Sequence, residues 1–213
     1  MTEQPAASEP AQATTPRLVL ASASPRRRGL LYEAGYVFEV HPADIDEDDH
    51  PVTLSPGDLA EWLATQKADV ISQRHPDAVV LAADTVVAFG ESNLGKPEDA
   101  QDARRMLEML GGTTHMVVTG VAVVRRSNGF ARAMRVISAV SMRVLTPEEI
   151  AGYIASNAWE GKAGGYGIQD DDPFVTRING SFTNIVGLPM EETQALLAEA
   201  GVVPAVGPKE KRD

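Results

Sequence analysis

Short apolar runs alternate along the chain with stretches whose apolar residues recur at helical spacing. That alternation predicts an α/β fold, a mixed twisted sheet with flanking helices. Strands are predicted at 17–21, 37–40, 78–88, 116–124, 134–144 and 181–186, and helices at 25–34, 56–74, 97–110, 147–156 and 189–200. The run VVLAADTVVA, starting at Val79, has apolar residues on both faces before and after its single acid, as a central buried strand does. Ser24-Pro25, Ser55-Pro56 and Thr146-Pro147 each set a capping hydroxyl before a proline suited to a first helical turn, and Thr146 with Glu149 makes a capping-box pattern. Gly35, Gly111 and Gly201 stand where helices should stop.

Composition narrows the picture. Residues 1–16 and 204–213 are small, polar and proline-bearing, and they read as tails unable to bury enough apolar surface to order themselves. The remaining span, 17–203, is the right length for one domain. With no cysteine, the chain has neither a disulfide framework nor a thiolate metal site. No long apolar run and no signal-peptide pattern appear, so the expectation is a cytoplasmic protein with no membrane partner. A net charge of −11 argues against a protein that coats nucleic acid. A small anionic ligand needs only local positive charge. Between Glu9 and Glu33 there is no acid, while Arg17, Arg26, Arg27 and Arg28 are all present.

Those arginines fall in LVLASASPRRRGLL, a strand, a turn of small residues and a helix start. Cations there oppose the helix dipole unless an anion is bound. A phosphate would resolve the conflict, held by first-turn N–H groups, the hydroxyls of Ser22 and Ser24, and the guanidinium forks of Arg26 and Arg27. The plainer reading is a solvated basic helix start with Ser24 as a cap. Five carboxylates crowd residues 44–49. Most of them should be solvated surface, with one or two free to hold a hard divalent cation. Lys67 falls in the apolar stripe of Leu59, Leu63, Val70 and Ile71, where it either meets an anion or snorkels outward. Asp84, set in a buried apolar run, must be paired, metal-bound or used. Lys96, before Pro97, would add a positive group at a helix start. The glycine-rich run WEGKAGGYGIQ either approaches a ligand through Lys162 and Gln169 or is simply a flexible loop.

Together these segments resemble the Maf family of nucleotide pyrophosphatases. The match runs through ASASPRRRGLL, AADTVV, LGKPEDAQDARRMLEMLGG, HMVVTGVAVV, EGKAGGYGIQ and SFTNIVGLPMEET. The resemblance implies two lobes around a cleft. It also implies hydrolysis of a nucleoside triphosphate between its α and β phosphates with Mg²⁺ or Mn²⁺, usually by a homodimer. By it, Asp84 is the proton acceptor. Arg26, Arg27, Lys67 and Lys96 hold the triphosphate, and Glu47 lies beside the metal with Asp84. Arg26, Thr85 and Gln169 match the dTTP/UTP subgroup rather than the 7-methyl-GTP subgroup. Asp170 departs from the family, which usually has glycine there. The competing readings are a nucleotide-binding regulator of cell division with little hydrolysis, and a 7-methyl-GTP-type pyrophosphatase.

Overall fold

The computed structural model describes residues 15–90, 92–170 and 174–205, so the two expected tails lie almost wholly outside the described residues. Among the described residues, seven strands form one mixed sheet in the order β2-β1-β3-β5-β6-β7, with β4 also paired to β3. They are β1 (Leu18–Leu20), β2 (Glu39–Val40), β3 (Val79–Phe89), β4 (Ser92–Leu94), β5 (Thr114–Arg125), β6 (Phe130–Met142) and β7 (Val175–Asn179). The helices are α1 (Pro25–Glu33), α2 (Pro56–Arg74), α3 (Ala100–Leu110), α4 (Pro147–Ala155), α5 (Phe182–Val186) and α6 (Met190–Glu199). Among the described residues, no helix is long and apolar enough to cross a membrane.

One detail of pairing creates the cleft. Along one edge, β3 pairs with β5 without a break from Val80 to Ala88. Along its other edge it pairs with β1 at Val79–Leu81 and with β4 at Val87–Phe89. The stretch between these partners, which carries Asp84 and Thr85, borders a gap in the sheet. The packing divides in the same way. Leu18, Leu20, Leu81, Leu188 and Leu197 form one apolar cluster at the β1 end, and Leu94, Met106, Leu107, Leu110 and Tyr153 form another at the β4 end. Helix α2 covers the opposite face through Ala64, Ala68 and Ile71, then Leu59 and Leu63.

The three helix starts marked by a hydroxyl before proline are observed. Ser24, Ser55 and Thr146 accept hydrogen bonds from Arg27 N, Asp58 N and Glu149 N, and Thr146 with Glu149 closes the capping box. Three expectations need correction. The run 181–186 is helix α5, not a strand: Ser181 caps it by accepting from Asn184 N, and Gly187, at φ 118°, ends it. The strand on that side is β7, just upstream. Helix α3 begins at Ala100 with Asp99 as its cap, so Lys96 stands in a loop rather than at a helix start. Finally, the sheet includes β4, within a segment that reads as loop.

Candidate active site

Asp84 sits on the unpaired edge of β3, only 6% exposed, and a buried carboxylate needs a partner. Helix α2 supplies it. Lys67 is likewise 6% exposed, and its ammonium donates to Asp84 Oδ1 at 2.5 Å. The helix can come this close because Gly120, the β5 residue opposite Asp84, has no side chain; a Cβ there would lie 2.2 Å from Ala60 O. The inward lysine therefore meets an anion, and the anion belongs to the protein.

Of the five carboxylates at 44–49, Glu47 is the one that is partly buried, while Asp48 borders the same cleft but stays exposed. It contacts Lys67 Nζ at 2.7 Å and Lys96 Nζ at 3.3 Å. Burial alone would raise the Glu47 carboxyl, but the hydrogen bond and charge of Lys67, joined by Lys96, outweigh it and hold it below the usual carboxylate range. Glu47, Lys67 and Asp84 thus form one chain of charges, with Lys96 at its exposed end.

The basic start of α1 is held by neutral oxygens. Arg27 donates from Nε to Gly187 O at 2.7 Å, from Nη1 to Ser22 Oγ at 3.2 Å and from Nη2 to Thr85 Oγ1 at 3.0 Å. Arg26 donates to Gly161 O at 2.9 Å. Burial lowers both guanidiniums from their ordinary values, opposed by Asp84 at Arg27 and by Asp170 at Arg26. Two partly desolvated cations bonded to neutral acceptors suit an added anion. Ser24 is the helix cap and also lines the cleft.

These groups surround one cleft of about 830 Å³, whose walls also carry Lys162 and Gln169. The structure thus brings every sequence-predicted site residue, from Ser22 and Glu47 to Gln169, to a single cavity. Not all of them are free. Lys162 is gripped by Asp170, and Lys67 by two carboxylates. Among the described residues, no group of three or more His, Cys, Asp or Glu side chains could hold a metal.

Sequence reasoning missed the support under Thr85. Its hydroxyl bonds to Thr119 Oγ1 at 2.9 Å, and Thr119 donates to Asn184 O at 2.9 Å, tying α5 to the cleft floor. It also missed the buried pair of His115 and the cleft residue Tyr166, 2.6 Å apart. Burial pulls His115 down to about 4 and pushes the Tyr166 hydroxyl up. The signal was available: Thr119 and His115 are polar positions in a buried apolar strand, the same anomaly that singled out Asp84.

The family model for Maf-like proteins matches residues 17–200. A dTTP/UTP pyrophosphatase of Hyphomonas neptunium is 50% identical over 186 residues, covering 86% of this chain and 95% of the relative. Relatives of the same name from Cereibacter sphaeroides and Rhodospirillum rubrum are 49% and 48% identical. They cover 87% and 88% of this chain, and 95% and 89% of their own lengths.

Proposed function

Because the chain belongs to the Maf-like protein family, we propose that it is a nucleoside triphosphate pyrophosphatase that hydrolyses dTTP and UTP to the monophosphate and pyrophosphate. The observation that carries this reading is Asp84, a buried carboxylate on the open edge of β3, oriented by Lys67 and facing a cleft lined with cations.

The donor set suits a divalent cation of the Mg²⁺ type. Such ions bind through one or two carboxylates and complete their shell with substrate phosphate oxygens and water. Glu47 and Asp84 supply two carboxylates spanned by one ammonium, too few for a complete protein cage and enough for a site finished by the nucleotide. When bound, Mg²⁺ or Mn²⁺ would draw charge from the phosphate oxygens and spread the negative charge that builds on the leaving pyrophosphate.

The protein's own residues do the rest. Arg26, Arg27 and Lys96 hold phosphate oxygens and oppose charge on the leaving group without reorganising. Asp84 accepts a proton from the water that attacks the α-phosphorus. A new P–O bond forms, the bond to the bridging oxygen breaks, and that oxygen leaves with the pyrophosphate. Lys67 fixes the Asp84 carboxylate through Oδ1. Thr85 and Gln169 stand where they can meet the rest of the nucleotide, Gln169 offering an amide donor and acceptor to a pyrimidine edge. The protein acts as a homodimer, which sedimentation velocity tests by a mass twice that of the chain.

The deciding assay measures monophosphate and pyrophosphate released from dTTP, UTP, CTP, ITP and 7-methyl-GTP with Mg²⁺ or Mn²⁺. Turnover should be highest with dTTP and UTP, and Asp84→Asn should bind dTTP normally while losing roughly 10²-fold or more in rate. No turnover on any nucleotide, or a preference for 7-methyl-GTP, would overturn the reading.

A further inference from the structure

Asp170 lies just behind the cleft wall and is wrapped in donors. Lys162 Nζ reaches both of its oxygens, at 2.5 and 2.6 Å, and the Tyr153 hydroxyl donates to Oδ2 at 2.5 Å. The backbone N–H of Gly167 adds a fourth bond at 3.1 Å. Neither partner is well solvated: the Lys162 and Asp170 side chains are 13% and 17% exposed. The cluster is built around a missing side chain. A Cβ on Gly167 would lie 2.7 Å from Asp170 Oδ1, 2.7 Å from Lys162 Nζ and 2.8 Å from Gln169 Nε2, so only glycine lets these three tips converge.

Two cations of the cleft feel this carboxylate. Lys162 is its direct partner, and Arg26, bonded to the carbonyl of neighbouring Gly161, lies within its electrostatic reach. A carboxylate offers the same kind of oxygen that a phosphate would present to both groups.

We propose that Asp170 is a built-in counter-anion, competing with ligand phosphates for Lys162 and Arg26, and thereby sets how tightly the cleft grips polyanions. The inference rests on the nucleotide-triphosphate reading of the site. In the free protein the pair keeps Lys162 ordered and half-neutralised. A bound polyphosphate shares that ammonium with Asp170 and meets the carboxylate's repulsion. The penalty grows with ligand charge, so it weakens the hold on triphosphate and pyrophosphate more than on monophosphate. Asp170 is a specificity-determining residue acting through Lys162 and Arg26, and it touches no reacting atom.

The sign of one substitution tests this. Asp170→Asn keeps the shape and can still accept from Tyr153 and Gly167, but removes the charge. Binding is measured by calorimetry without divalent metal and at fixed ionic strength, with inorganic triphosphate, dTTP and dTMP as ligands. Asp170→Asn should tighten inorganic triphosphate and dTTP about tenfold, and dTMP by only about twofold. Adding Lys162→Met should remove most of the gain. A merely structural Asp170 would give the opposite sign, since loosening the loop weakens every ligand alike.

Unchanged or weakened affinity in Asp170→Asn, with normal binding by the wild type, overturns this inference alone. Failure of the wild type and the variant to bind either triphosphate both without metal and with added Mg²⁺ overturns the functional reading as well. If Asp170→Asn does not fold, Asp170→Gly carries the same prediction.

Discussion

Gly120 offers a demanding test, because it links the packing of α2 to the chemistry at Asp84. A methyl group added there would lie 2.2 Å from Ala60 O, 2.3 Å from Ala60 C and 2.5 Å from Glu61 N, all backbone atoms of α2. No rotamer change relieves a clash with backbone, so the helix itself must retreat by about 1 Å to restore ordinary contact. Lys67 rides on the same helix two turns farther on, and its 2.5 Å bond to Asp84 is stretched by the same movement. Overpacking of this kind costs about 3 kcal/mol. A displacement of about 1 Å at a reacting group costs turnover on the order of 10²-fold. Gly120→Ala should therefore unfold at clearly lower urea concentration and hydrolyse dTTP about a hundredfold more slowly. Gly152→Ala, on α4 with nothing within 4 Å of an added Cβ, is the control and should do neither. A Gly120→Ala protein within about 0.5 kcal/mol of wild type and with normal turnover would refute the claim that close approach of α2 positions Lys67.

Further expectations follow from single residues. His115 titrates at about 4 in the fold against about 6.5 unfolded, so between those values the unfolded chain binds more protons and stability falls as pH falls. The loss should reach about 3 kcal/mol by pH 4, and unfolding curves of His115→Gln should be flatter between pH 6.5 and 4.5, above the range where the depressed carboxylates titrate. Arg27→Lys keeps the charge but cannot span Ser22, Thr85 and Gly187, and should cost about 2 kcal/mol; an unchanged urea midpoint would remove Arg27 as a clamp. Thr146→Ala deletes one half of the capping box and should cost about 1 kcal/mol in the same measurement.

Much of this molecule was legible because its local signals agree with its global packing. The serine and threonine caps act through short-range hydrogen bonds, so a hydroxyl before a proline is enough to place a helix start. Lys67 and Asp84 were legible as anomalies, charged residues in apolar patterns, although periodicity could not show that they face each other across α2 and β3. Helix α5 was not legible: the apolar, β-branched sequence FTNIV favours a strand, and only the Ser181 cap and the turn at Gly187 make it helical. The partnership of Asp170 with Lys162 and Tyr153 depends on tertiary placement, so the sequence marks Asp170 only as a departure from the expected glycine. The cleft is topological in origin. It arises because β1 and β4 share one edge of β3 and leave Asp84 between them, which no residue pattern within β3 announces.

The central claim is that Asp84 activates water toward the α-phosphorus of a pyrimidine triphosphate. Turnover of dTTP in ¹⁸O-labelled water, followed by mass spectrometry of both products, tests it most directly. dTMP should carry one ¹⁸O and pyrophosphate none, and formation of both products should fall roughly 10²-fold or more in Asp84→Asn. Label in pyrophosphate, or formation of dTDP with labelled inorganic phosphate, would contradict it.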